Sequence, residues 1–278
     1  MATALPLRSV ASRAPKRPRS WPRWVRGGLP FWTVAIVLLA IEVLIAGGVV
    51  DGRYLPRPSH VAVGVVRLLA QPSLWANAAA TWSAALYGFA IGLAIAIPAG
   101  LVAGRSQVAW HVVRPLVEFL RPLPTVAMIP LVVLLWGPST FSKAFLVCFT
   151  TIWPVFIQAA YSVRDTNPTA IETARSFGLG RRAVIRRVVL PSALPGIATA
   201  VRIQASIALL VTITSEVALG GGGGLGILVF QLDQAGDYVG MYALLVLIGV
   251  QGMLLGSLLA RMERRLMPWH AAHREEQP

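Results

Sequence analysis

Apolar residues arrive in long blocks separated by short polar stretches. Six blocks, 29–50, 79–103, 122–136, 144–163, 194–219 and 238–260, are candidate membrane spans. Crossing the ~30 Å hydrocarbon core takes about 20 mostly apolar residues as helix, and only helices or closed barrels satisfy their backbone polar groups there. The third block is short and carries Pro122, Pro124 and Pro130, so the preceding 112–120 can belong to the same broken helix. Between the first two blocks, Pro56-Arg57-Pro58-Ser59 breaks the chain. Val61, Val65, Leu68 and Leu69 then recur at helical spacing, which predicts a short amphipathic helix along the outer membrane surface or capping the bundle.

The polar stretches fix an orientation, because bases collect on the cytoplasmic side. With the amino terminus inside, the inner stretches hold seven bases from Arg8 to Arg26, then Arg105, Arg114 and Arg121, seven from Arg164 to Arg202, and four beyond Ala260. Only Arg53, Arg57, Arg67 and Lys143 fall outside. Both termini and the 172–191 loop are therefore expected in the cytoplasm. The chain divides into a basic arm (1–28, disordered to about Ser20), a first span with an outer-surface helix (29–76), a transmembrane core (77–260) and an inner tail (261–278). The first apolar run is longer than the ~7 to 15 residues of a signal-peptide core, so it reads as an uncleaved anchor.

Composition agrees with a bilayer protein. Over 278 residues, 56% are hydrophobic and 13% charged, against roughly 25% charged in an average soluble domain. The basic excess does not signal nucleic acid, since the bases lie between apolar runs and not on the face of a soluble fold. The single cysteine, Cys148, excludes an intrachain disulfide and sits in an apolar stretch as small core filler. Gly88, Gly92, Ala96, Gly100 and Gly104 recur every four residues, and Gly252, Gly256 and Ala260 repeat the pattern in the sixth block. Such stripes let helices approach closely, and packing within one subunit is favoured over a subunit–subunit seam.

Polar residues inside the spans are candidates for function, because an acidic side chain at mid-membrane costs ~2.5 to 3.5 kcal/mol on insertion scales. Glu216 lies toward the outer end of the fifth block and Glu42 within the first. Glu42 reads as a neutralised or hydrogen-bonded packing residue. Arg202, Gln204 and Ser206 could line a pathway, or Arg202 could snorkel to the inner surface. The run Gly220 to Gly224, followed by Leu225-Gly226, has neither a preceding strand nor a following Lys-Ser or Lys-Thr, so it is no phosphate loop. It is a flexible break, either a re-entrant, gate-adjacent loop centred on Gly220, Gly222 and Gly224 or a plain connector. No catalytic constellation emerges. His60, His111, His270 and His273 lack ligand spacing, and Lys16 and Lys143, the only lysines, complete no Walker A sequence.

The most informative segment is 172–191, Glu-Thr-Ala-Arg-Ser-Phe-Gly-Leu-Gly-Arg-Arg-Ala-Val-Ile-Arg-Arg-Val-Val-Leu-Pro. Glu172, Ala174, Gly178, Val188, Leu190 and Pro191 fall at the spacing of Glu-Ala-Ala, three residues, Gly, nine residues, then aliphatic-x-Leu-Pro. This resembles the cytoplasmic loop of permease subunits in binding-protein-dependent ABC importers, with Thr173 and Val188 as modest departures. Leu120-Arg121-Pro122-Leu123-Pro124, Ile129-Pro130-Leu131 and Glu216 with the glycine run extend the likeness toward the subfamily for sulfonates, taurine, nitrate and similar small anions. The resemblance implies an all-α, six-helix type I importer bundle in a bacterial inner membrane. It also implies a second permease copy, two cytoplasmic ATPases that use the ATP, and an external solute-binding protein, with no cofactor in this chain.

By resemblance, Ile171, Glu172, Thr173, Ala174, Phe177, Gly178, Leu179 and Pro191 form the ATPase-docking loop, and Glu216 gains weight as a pathway residue. Locally, Thr169-x-x-Glu172 after Asn167-Pro168 predicts a capping box, and Gly178 a left-handed terminal turn. The short helix between them would place Ile171, Ala174 and Phe177 on one side. Two other classes remain: an ATP-independent channel, and a membrane enzyme using Glu42 or Glu216. The enzyme is disfavoured because the sequence offers no companion base at matching depth.

Overall fold

A computed structural model describes residues 23–267, with side chains from residue 31. The expectations for the arm up to Ser20 and for the tail beyond Met267 concern segments outside the described residues. Among the described residues every regular element is helical. Helix α1 (Arg23–Ala46) is followed by α2 (Pro58–Leu69), α3 (Pro72–Arg105) and α4 (Gln107–Leu120). Then come α5 (Ile129–Trp136), α6 (Thr140–Arg164), the short α7 (Pro168–Ser176) and α8 (Arg181–Val184). The chain closes with α9 (Leu190–Leu219), α10 (Leu225–Gln234) and α11 (Tyr238–Leu266).

Four helical stretches, α3, α6, Arg181–Leu219 and α11, are long and apolar enough to cross a membrane. The pair Gln107–Leu120 and Thr125–Trp136, bent by 78°, makes a fifth. The first of the six expected blocks falls on the apolar Phe31–Ala46 of α1, which is shorter than a full span, so the described residues give up to five spans by length and composition. That block ends earlier than position 50, because Gly48 takes a left-handed φ of 73° two residues past Ala46. The broken third span follows from its prolines. Pro122 and Pro124 lack the amide a helix needs, so α4 stops at Leu120 and the chain restarts as a 3-10 turn over Thr125–Met128.

The core is the seam between α3 and α6, and the predicted stripe builds it. Gly88, Gly92, Ala96 and Gly100 are buried on α3. A methyl added at Gly92 would lie 2.8 Å from Cβ of Thr151, one at Gly100 2.6 Å from the Phe156 carbonyl and one at Gly104 2.6 Å from the Ala160 carbonyl. With lipid outside, dispersion from backbone-close packing holds such helices together. The second stripe behaves differently: Gly252 and Gly256 have nothing within 4 Å of an added Cβ. Its small face on α11 is open and does not pack within this chain, contrary to expectation.

Helix α2 caps one end of the bundle. Val61, Val65 and Leu68 join Leu74, Ala78, Leu225, Ala243 and Leu244 in one apolar cluster, and Gly64 lets α2 lie against Val239 and Ala243 of α11. Glu42 ties α1 to this cap. It accepts hydrogen bonds from the Ser59 amide (3.0 Å) and the Ser59 hydroxyl (2.8 Å), satisfying an orphan donor at the α2 amino terminus. The hydrogen-bonded reading of Glu42 holds.

Candidate functional site

The 172–191 segment is more helical than a loop. After Asn167 the chain forms α7, crosses Phe177 to Gly180 without regular structure, and becomes a continuous helix from Arg181 to Leu219. A π segment over Ile185–Val189 sits just before Pro191. The ring at Pro191 removes an amide from the ladder, and the wider i→i+5 turn absorbs the change. Pro191 therefore lies inside a span-bearing helix and does not end a loop.

The cap of α7 also differs from the predicted box. Asn167, not Thr169, is the N-cap, and its Oδ1 accepts from the Thr169 amide at 2.9 Å. Pro168 takes the first helical position, which sets the cap two residues earlier than predicted. Glu172 is then the fifth helical residue and stands too far along to close the box. The carboxyl-terminal end agrees with expectation. The Leu179 amide donates to the Ala174 carbonyl (3.1 Å) and the Gly178 amide to the Arg175 carbonyl (2.9 Å), with φ of Gly178 at 80°. This double closure is a Schellman motif.

Side-chain directions divide the predicted docking residues. Ile171, Ala174 and Leu179 turn inward onto Val163, Val184, Val189, Ala193 and Ile197. Glu172 and Thr173 are exposed, and Phe177 is 81% exposed. Phe177 thus does not share a face with Ile171 and Ala174: it follows the last helical turn and projects outward, while they anchor α7 to the bundle.

At the other end of the molecule, Glu216 is sealed. It is 0% exposed, and its Oε1 lies 3.1 Å from Nζ of Lys143, itself 0% exposed. The Thr81 hydroxyl reaches both carboxylate oxygens (3.0 and 2.8 Å), and the Gly226 amide donates to Oε2 at 2.9 Å. Lys143 also donates to the Gly223 carbonyl. Three successive amides at the start of α10 find side-chain acceptors. The Gly224 amide donates to Asn77 Oδ1 (2.7 Å), the Leu225 amide to Thr81 Oγ1 (2.8 Å) and the Gly226 amide to Glu216. The positive end of a helix accepts an anion readily, and here the chain's own carboxylate occupies that place.

The glycine run is what allows this. Gly220, Gly222, Gly223 and Gly224 all have positive φ, with Gly224 at 134°. A side chain at Gly224 would collide with the Glu216 carboxylate. The run therefore folds as a tight loop between α9 and α10, not as a plain connector into the sixth span. Lys143 is corrected by the same geometry. It sits in the first turn of α6, inside the bundle, and is the companion base that the sequence did not offer for Glu216. Both side chains are shut from solvent.

The remaining candidates separate. Nη1 of Arg202 lies 3.2 Å from Oε2 of Glu263 on α11, an ion pair without hydrogen-bond geometry. Gln204 is 5% exposed, and its Oε1 has no hydrogen-bond partner. Lys143, Thr81, Asn77 and helix α10 were missed by the sequence. The available signal was Lys143 itself, one of two lysines, standing between Phe141 and Phe145 at the start of an apolar helix.

Residues 92–268 match the family described as the binding-protein-dependent transport system inner membrane component. The chain is 27% identical over 273 residues to the putative aliphatic sulfonates transport permease protein SsuC of Bacillus subtilis (strain 168), covering 98% of this chain and 97% of that one. It is 27% identical over 258 residues to the taurine transport system permease protein TauC of Escherichia coli (strain K12), covering 90% and 92%. Its fold is similar to that of the inward-facing MetNI methionine ABC transporter, with a TM-score of 0.60 at 21% identity, over 70% of this chain and 98% of that one. A helical bundle with apolar spans, a Glu172–Pro191 motif at family spacing and a family match over more than half its length place this chain among the inner membrane components of binding-protein-dependent transport systems.

Proposed function

We propose that this permease passes small anions of the sulfonate class, with taurine, nitrate and similar solutes as the nearest candidates. It works as two copies joined to two cytoplasmic ATPases and an external solute-binding protein. The solute class is supported by the full-length likeness to the sulfonate and taurine permeases. The observation that carries the coupling is α7, a nine-residue helix capped at both ends with Phe177 bare at its tip.

An aromatic ring left in water beside a rigid helix is the kind of anchor that fills a partner's pocket. Ile171, Ala174 and Leu179 hold α7 to the ends of α6 and the Arg181–Leu219 helix, so a push on the tip moves spans and not only a loop. ATP is bound and hydrolysed by the partner. Neither Lys16 nor Lys143 stands in a Walker A sequence, and Lys143 is committed to Glu216. Both termini and α7 face the cytoplasm by the distribution of bases. With Lys143 assigned to the bundle, only Arg53, Arg57 and Arg67 remain outside.

The test is co-purification with the ATPase and uptake of labelled taurine and alkanesulfonates in proteoliposomes holding the binding protein. Gly178→Pro removes the Gly178 amide that closes α7 and forbids its left-handed φ, and it is expected to lose both ATPase and uptake while the chain stays in the membrane. Uptake that persists without ATP would instead establish a channel.

A further inference from the structure

The inner ends of α3 and α6 enclose, with α7 and α8, a cleft of about 430 Å3. Four arginines line it, Arg105, Arg164, Arg175 and Arg181, and no carboxylate does. The ion pairs of the described residues use Arg114, Lys143 and Arg202, and none of these four. Of the nearby acids, Asp165 follows α6 and Glu172 stands on the exposed side of α7; neither lines the cleft. Val163, Val184 and Val189 supply the apolar part of its wall.

Four guanidinium groups around one cleft repel each other until an anion enters. The shape of the surroundings says which anion. Arg105 and Arg164 close the last turns of two membrane-spanning helices, so the cleft lies at the depth of lipid headgroups. The Arg164 guanidinium lies over the ring of the buried Trp110 (5.5 Å), which meets Tyr161 in a tilted contact (5.4 Å), so one of the four cations is held in place beside the cleft. Basic rim and partly apolar wall together suit a molecule with a phosphate and a greasy end. The planar fork of arginine meets phosphate oxygens two at a time, and basic pockets between helices on the cytoplasmic side take anionic headgroups.

We propose that this cleft binds the phosphate of an anionic phospholipid headgroup, which ties α7 and α8 to the inner ends of α3 and α6. An acidic segment of the ATPase is disfavoured as occupant, because Phe177 and Glu172 point away from the cleft while Ile171 and Arg175, one helical turn apart on α7, line it. The proposal rests on the inside placement of α7 and is independent of the transported solute.

The test uses the full-length permease with its ATPase in nanodiscs of phosphatidylcholine with and without phosphatidylglycerol, read by native mass spectrometry for retained lipid. Retained phosphatidylglycerol is expected to fall about tenfold or more in Arg105→Gln/Arg164→Gln and equally in Arg175→Gln/Arg181→Gln. Arg264→Gln/Arg265→Gln, on the same side of the membrane but off the cleft, should retain it. Equal retention in all three overturns the proposal. If only the α7–α8 pair matters, and the loss is of ATPase and not of lipid, the cleft is a protein contact and the lipid assignment fails. Inorganic phosphate and ATP form the second arm: tighter, cleft-dependent binding of either one overturns the lipid in favour of a soluble phosphate. ATPase co-purification from the same samples reports separately on the docking role of α7.

Discussion

Lys143 and Glu216 stand 73 residues apart in the chain and meet as a buried ion pair at 3.1 Å, joining the first turn of α6 to the last turns of α9. Around them the Thr81 hydroxyl, the Gly226 amide and the Gly223 carbonyl satisfy much of what desolvation leaves unpaired. Breaking one partner of such a pair leaves a charge with no compensation and costs about 3–5 kcal/mol, whereas replacing both can be nearly neutral. Lys143→Met is therefore expected to reduce the folded yield and melting temperature of the purified complex sharply, and Lys143→Met/Glu216→Gln to recover most of the loss. A double variant as unstable as the single one would show that the pair is not the unit.

The same geometry revises what Glu216→Gln should do. An open gate residue would change uptake alone. A sealed carboxylate that accepts from Thr81, Lys143 and Gly226 affects the order of the glycine loop as well, so Glu216→Gln should lower thermal stability along with uptake. Glu42→Gln, whose site on Ser59 lies at the periphery, is expected to leave uptake largely intact. Scanning fluorimetry and transport on the same preparations compare the two.

How much of this was legible in the sequence depends on range. The spans were legible because burial in lipid imposes length and apolarity on each block separately. The end of α7 was legible because Gly178 solves a local backbone problem. The start of α7 was misplaced, since Asn167 and Thr169 are both good caps and only the position of Pro168 decides between them. Lys143 was read as a loop charge because its partner is remote, and no periodicity announces a pairing between α6 and α9. Helix α10 was hidden for a related reason. Its amides are capped by Asn77, Thr81 and Glu216 from other helices, not by its own neighbours.

The two small-residue stripes separate experimentally. Gly92→Leu drives a side chain into Thr151 and the Cys148 carbonyl, forcing α3 from α6, and should abolish folded protein in the membrane. Gly256→Leu meets open space and should leave the folded chain intact. Detergent-solubilised yield on size exclusion decides, and equal loss in both variants would refute the assignment of the core seam to α3 and α6.

The orientation can be read without disturbing the buried pair. A reporter placed at the glycine run would break the contacts of Gly223 and Gly224, whereas Gly236, between α10 and α11 with φ of 71° and open space around it, tolerates insertion better. Reporters after Pro58 and Gly236 are expected outside, and one after Gly180, in the turn before α8, inside. An inside signal after Gly236 would overturn the assigned topology.

The last prediction separates contact from anchoring in α7. Phe177 is bare, so Phe177→Ala removes an aromatic ring that the bundle does not use; folding should be unchanged within about 0.5 kcal/mol, as for surface positions generally. If the ring fills a pocket of the ATPase, its loss costs ~2 kcal/mol or more, the scale of an interface hot spot, and co-purification drops by more than tenfold. Ile171→Ala acts by the opposite route. It removes packing from the cluster of Val163, Val184 and Val189, so it should loosen α7, lower thermal stability and weaken coupling while leaving the exposed ring in place. Binding isotherms for the ATPase, taken with melting curves for both variants, distinguish the two. A Phe177→Ala variant whose complex with the ATPase forms, and hydrolyses ATP on solute delivery, as the parent's does would remove the ring from the contact and leave α7 as a strut alone.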